Sequence, residues 1–426
     1  MRPSSNVVAI PIVLVVAMSF GSALLPAQTA RPTSDSEIAK AAEISRLRPS
    51  APAWSRLGDA YMQKARETMD LSYYSRAEAA YRKSLTLTPN YANATIGIAW
   101  VSSGRHEFEQ SIDWAGKALK LEPNRADAYG LLGDAATEMG DYESAFEHYQ
   151  KMIDLKPDMA SYSRAAHLLF ITGDFKKATL LMSKAAGAGG AYAENRAWCV
   201  SQIALMDFAQ GAYVPAEQKL KQGLNESPNN YQLLAAMGKV KAALKDFPSA
   251  IEYYKKAQAI VPQHDVVVAL GDLYSLQGQT EAARKQYAIV DTLRKINKAN
   301  GVVGDMQMAQ FLADHDKDLE ESLHLAETEY KTRPTVYGAD TLAWCYYKNG
   351  RIPEARKYSM KALSQKTPEA MFHYHRGLIL AKAGDVGAAR KELYQAMSQN
   401  PYFDPLAAVE CMRMVRELGS VAIRGN

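Results

Sequence analysis

The sequence predicts an all-helical solenoid of about ten helix pairs, closed by a carboxyl-terminal capping helix. Prolines recur 34 residues apart, at Pro89, Pro123 and Pro157 and again at Pro228 and Pro262. Each ends a segment such as QSIDWAGKALKLEP or AIEYYKKAQAIVP, apolar at every third or fourth position, which is helical rather than strand spacing. Glycine and alanine fall at fixed places between the prolines, where two helices need to approach closely. A recurrence of this length overrides the two or three domains that 426 residues would otherwise suggest. With 47% hydrophobic residues the chain has material for a large core, and a net charge of +4 gives no general reason to expect nucleic acid or an anionic membrane as partner.

Taken in order, residues 1–30 read as an export signal. Val7 to Leu25 is apolar or small throughout, with Gly21 and Ala23 at the two positions that a signal peptidase inspects. The expected mature chain starts within Leu24 to Arg31, which places the protein outside the cytoplasm, in the periplasm or the extracellular medium; a retained amino-terminal anchor is the alternative. Residues 31–50 form a polar lead-in that finishes in a short helix. The repeat array spans 51–401, and 402–426 hold a capping helix, PLAAVECMRMVREL, and a tail.

The clearest repeat unit is Tyr129, Leu132, Gly133, Ala136, Gly140, Ala145, Tyr149, Met152 and Pro157; another is Val267, Leu270, Gly271, Tyr274, Gly278, Ala283, Tyr287 and Val290. This pattern resembles the tetratricopeptide repeat (TPR) family. Aligned on it, repeats begin near residues 51, 92, 126, 159, 197, 231, 264, 303, 337 and 370. The resemblance implies a right-handed superhelix whose concave wall is made by the first helix of each pair, and ten repeats should exceed one superhelical turn. Local departures are an insertion between Tyr61 and Ala77, a glycine-rich end to the fourth repeat, and a lengthened seventh repeat broken at Gly301. Gln310 and Trp344 stand where the eighth and ninth repeats should carry glycine.

Carried over position by position, the concave wall receives Trp100, His167, Phe170, Trp198, Leu205, Phe208, Phe311 and Tyr374, with polar residues such as Lys239, Asp272 and Gln307 among them. These eight are the expected ligand-groove residues. An apolar cluster on a surface facing water marks a protein or peptide contact. The competing reading is that superhelical closure covers them, because an error of one position moves a residue from groove to core.

Chemistry-bearing motifs are missing: there is no GxxxxGK, HExxH, GxSxG or CxxC. The acidic run from Asp314 to Glu320 mimics the start of a calcium loop, but Leu319 and Leu325 occupy its glycine and bidentate-glutamate positions, so a solvated turn is expected rather than a metal site. Cys199, Cys345 and Cys411 lie in repeats too far apart to pair, and three buried thiols are expected. The last third of the chain looks like the carboxyl-terminal part of exported bacterial TPR proteins. That resemblance implies a non-enzymatic adaptor for a protein or peptide, without cofactor, metal, nucleic acid or obligatory small molecule, and with a membrane-associated complex as one setting. The carboxylate-gripping Lys/Asn set of the chaperone-binding subgroup is not matched, since Asn93, Ile96, Trp100, Asp127 and Gly130 stand at those positions. A structural component of an envelope or surface assembly is the alternative function.

Overall fold

Two short sequence devices recur along the helix pairs. The first is Leu-Gly-Asp on the first helix facing a tyrosine on the second. At Gly133 an added Cβ would lie 2.4 Å from the Tyr149 ring, and at Gly271 it would lie 2.2 Å from Tyr287, so only hydrogen leaves room for the ring. The tyrosine hydroxyl then donates to the aspartate that follows the glycine: Tyr81 to Asp59 at 2.7 Å, Tyr149 to Asp134 at 2.9 Å and Tyr287 to Asp272 at 2.7 Å. The second device is the turn. Gly140, Gly173 and Gly384 adopt positive φ, and the aspartate after each caps the second helix by accepting from a backbone N–H three residues on.

The computed structural model describes residues 33–189, 192–302 and 305–424, so the predicted export signal lies outside the described residues. Among those residues the regular structure is helical, with no strand. Helix α1 (Ser34–Leu47) precedes ten pairs. The first five are α2 (Ala51–Thr68) with α3 (Ser72–Leu87), α4 (Ala92–Gly104) with α5 (Phe108–Leu121), α6 (Ala126–Glu138) with α7 (Tyr142–Leu155), α8 (Met159–Ile171) with α9 (Phe175–Ala188), and α10 (Ala193–Ala209) with α11 (Tyr213–Glu226). The next five are α12 (Tyr231–Ala243) with α13 (Phe247–Ile260), α14 (His264–Leu276) with α15 (Thr280–Ala299), α16 (Met306–Asp314) with α17 (Leu319–Thr332), α18 (Val336–Lys348) with α19 (Ile352–Ala362), and α20 (Ala370–Lys382) with α21 (Val386–Gln399). Helix α22 (Ala407–Arg424) follows as the cap. The fold is the expected all-α superhelical solenoid.

Two expectations change in detail. The polar lead-in is a complete helix, α1, whose Ile38 and Ala41 pack on Leu57 and Ala80 and whose Asp35 and Glu37 pair with Lys64 and Arg56. It covers the amino end of the array, which an apolar solenoid end requires. The fifth repeat starts at Ala193 rather than 197, because α10 gains a turn at its amino end. At the glycine position of the ninth repeat Trp344 fills a local gap: its ring stacks on His375 at 4.2 Å and its Nε1 donates to Asp314 at 2.7 Å. The seventh repeat is lengthened as read, with α15 running 20 residues and Gly301 at φ 74°. Cys199, Cys345 and Cys411 are free and buried; burial pushes the first thiol up to about 11 and the other two up to about 12.

The superhelix winds tightly enough for one turn to rest on the next. The turn of the third pair meets the entry to α18: Tyr142 accepts from the backbone N–H of Val336 at 3.0 Å, and Arg333 pairs with Glu138. A Cβ on Gly140 would come within 2.6 Å of the Pro334 carbonyl oxygen. The fourth pair repeats the arrangement, with Thr367 donating to the Ile171 carbonyl, and the fifth does so again, with Asn400 Nδ2 donating to the Phe208 carbonyl at 2.8 Å and Tyr213 donating to Asn400 Oδ1. Each partner lies six repeats further on, so the ten pairs complete more than one turn. Asn400 is 2% exposed. Asn400→Ala is therefore expected to remove the seam bond to the Phe208 carbonyl, leave the Tyr213 hydroxyl without its acceptor and lower stability by about 1–3 kcal/mol, seen in denaturant unfolding. Small-angle scattering should report a larger radius of gyration with unchanged helical content.

Candidate functional site

The first helices of the fourth to tenth pairs surround two adjoining hollows of about 390 and 570 Å³. Gln202, Leu205, Phe208, Lys239, Gln310, Met371 and Phe403 line both, which makes them one continuous lumen. Six of the eight expected groove residues meet there. His167 and Phe170 line the smaller hollow, Trp198 and Phe311 the larger, and Leu205 and Phe208 both. They come from three different pairs, the fourth, fifth and eighth, and the first-helix rule is what brings them onto one wall.

Their exposure differs from the expectation of an open aromatic patch. Phe170 is 8% exposed, Phe208 6% and Phe311 5%, so these are core rings that offer the lumen only an edge. The winding is the reason: each ring is enclosed by neighbouring pairs, as Phe311 is by His264 and Tyr287 of the preceding pair and by His315. Trp198 and Leu205 are half-buried, and His167 remains open to water inside the hollow. Two assignments are corrected. Trp100 lies half-buried among the cores of the first three pairs and does not line either hollow. Tyr374 is 3% exposed, its ring packed on Phe403 and its hydroxyl donating to Glu410 of the cap helix at 3.1 Å. The tight wrap of α22 over the last pair takes it out of the groove.

Sequence reasoning passed over Asp340, Glu369, Phe372, Phe403 and Asp404. The first is the fourth residue of a repeat start whose glycine is replaced by Trp344, and the last two sit in the loop before α22, which no repeat template covers. Asp272 was read as facing the lumen, and it does line the larger hollow while holding Tyr287. The Leu-Gly-Asp triplet was the available signal for that double role.

Two family models, both described as tetratricopeptide repeat, match residues 341–402 in one case and 51–91 and 126–159 in the other. The chain carries tetratricopeptide repeats. As a TPR protein it is built as a protein–protein interaction scaffold. A curated relative, small glutamine-rich tetratricopeptide repeat-containing protein 2 of Mycosarcoma maydis, is 33% identical over 95 residues, covering 21% of this chain and 26% of the relative. The chain thus spans about a quarter of that relative's length. Among solved structures, a human IFIT1 dimer is 15% identical, with 76% of this chain and 77% of that one covered at a TM-score of 0.47. Pseudomonas aeruginosa pilF is 17% identical, with 47% and 91% covered at 0.40.

The electrostatics of the TPR lumen are set by confinement. Its side chains touch water, yet protein surrounds that water, so charges there are poorly solvated. Burial holds His167 and His264 below the ordinary histidine range. Burial also pushes Asp314 up to about 6 and raises Glu369 and Asp404. At His315 and His375 burial pulls downward, but bonds of 2.9 Å to Asp272 and Asp340 outweigh it and raise both. The acidic run ends differently from a calcium loop: Asp314 holds Trp344, Asp316 pairs with Lys348 at 2.6 Å, and the described residues contain no group able to hold a metal.

A carboxyl group raised in the folded state weakens the fold once pH exceeds its unfolded value. Asp314→Asn keeps the acceptor for Trp344 and removes that penalty. Its melting temperature should match the parent near pH 4, rise above it as pH climbs through 6, and hold a constant advantage beyond; an advantage independent of pH would contradict the assignment.

Proposed function

We propose that this TPR protein is an extracytoplasmic, non-catalytic adaptor that threads or seats a segment of a partner protein in the lumen. The observation that carries the reading is the continuity of the two hollows across seven successive first helices. Their volumes lie within the roughly 300–1,000 Å³ common for ligand sites. Half-buried Trp198, Leu205 and Met371 supply apolar contact, while Gln202, Gln310 and Lys239 supply adaptable hydrogen bonding.

Filling the lumen tests this without removing core contacts. Gln202→Trp and Gln310→Trp are expected to retain the parent's melting temperature and to lose capture of the partner from an envelope extract. Phe208→Ala should instead unfold more easily, by about 3–5 kcal/mol, because it empties a packed core site. Capture unaffected by both tryptophan variants would place the partner elsewhere on the molecule.

The export reading rests on the apolar run from Val7 to Leu25 and the small residues after it. Amino-terminal sequencing of the native product is expected to find a start within Leu24 to Arg31, whereas an intact Met1 on a membrane-bound product would favour an anchor.

A further inference from the structure

The chain as a whole is slightly basic, with 50 lysines and arginines against 46 acids. Its lumen reverses that balance. Asp265, Asp272, Asp314, Asp340, Glu369 and Asp404 line the two hollows, and the only lysine or arginine lining them is Lys239. The imidazoles of His315 and His375 answer Asp272 and Asp340. Asp404 is engaged with the backbone N–H groups of Leu406 and Ala407, which carry no formal charge. The ammonium group of Lys239 lies over the face of Phe208, 5.0 Å from the ring centre, and its single charge is shared between Glu369 and Asp404.

A second observation is independent of the charge count. Asp340 is 4% exposed, lines the smaller hollow, and has one carboxylate oxygen, Oδ1, with no hydrogen-bond partner. Gln232, on the wall of the larger hollow, has an unpartnered Oε1. Both oxygens are shielded from water within the wall; buried acceptors are normally satisfied, and an unpaired one beside a hollow is short of a donor that a ligand entering the wall would supply. Burial raises Asp314, Glu369 and Asp404, as expected for carboxylates whose nearby positive charges do not make up for lost hydration.

Resting on the lumen reading given above, we propose that the partner segment is basic: one lysine or arginine side chain seats its charge against Glu369 and Asp340 in the smaller hollow, and a second against Asp314 and Asp404 in the larger. The methylene stems lie along Phe208, Phe311 and Phe403, which suits side chains that join an apolar shaft to a cationic head. Phosphate-bearing and acidic segments are excluded by the same field.

The test is selection of random dodecapeptides displayed on phage by the immobilised full chain. The variants are Glu369→Gln with Asp314→Asn, which keep the hydrogen bonds of Tyr337 and Trp344, Asp340→Asn separately, and Gln310→Trp as the blocked lumen. Melting curves confirm that each is folded. The parent should enrich lysine- and arginine-containing peptides. The double variant should lose about tenfold in affinity for them, equivalent to ~1.4 kcal/mol, and Asp340→Asn should weaken them in the same direction. Peptides selected without basic bias but lost in Gln310→Trp would overturn the charge assignment and leave the lumen reading intact. Basic peptides retained equally by the double variant or by Gln310→Trp would mean they bind elsewhere, which also overturns the proposal. Failure to select any peptide above the bare support would overturn both.

Discussion

The seam between successive superhelical turns is the constraint on which the interior depends. A solenoid repeat contacts its neighbours and nothing else in principle, so an open array would present its first helices to solvent. Here the turn of each of the third, fourth and fifth pairs rests on a junction six repeats later, through Tyr142, Thr367 and Asn400. Each hydrogen bond adds only about 1 kcal/mol net. Together they fix the pitch, and the pitch converts a groove into a lumen. Glycine at the turn serves twice, by adopting positive φ to start the next helix and by leaving space for a carbonyl from the turn above.

Enclosure changes the chemistry of side chains that would be ordinary on a surface. Asp314, Glu369 and Asp404 are shifted in the direction of the neutral acid because their hydration is restricted, and His167 and His264 are shifted toward the neutral base. Six acids then face a single lysine, Lys239, across the lumen of a protein of nearly balanced charge. The same enclosure buries Phe170, Phe208 and Phe311, so the lumen wall is rigid where it is aromatic and adaptable where Gln202, Gln310, Lys239 and Met371 protrude.

The Leu-Gly-Asp triplet shows how fold and site share residues. Gly271 admits Tyr287, Asp272 accepts its hydroxyl, and the same aspartate lines the lumen and bonds His315 from the following repeat. In the sixth pair the matching position holds Lys239, which reaches into the lumen instead. The site thus varies at one repeat position while the packing of the pair, here Gly238 against Tyr254, stays the same.

Helix existence, pairing and the repeat boundaries were legible in the sequence because they rest on interactions within about forty residues: apolar periodicity, proline stops, glycine opposite tyrosine and aspartate caps. The wall positions followed from the same register, and six of eight were found. Tyr374 and Trp100 were misplaced because the cap helix covers one and neighbouring repeats enclose the other, neither of which a single repeat encodes. The burial of Phe208, the open oxygen of Asp340 and the lining role of Asp404 depend on the pitch, which brings together residues nearly two hundred positions apart. Pitch is the sum of small rotations at every interface between repeats, so only the assembled structure decides it.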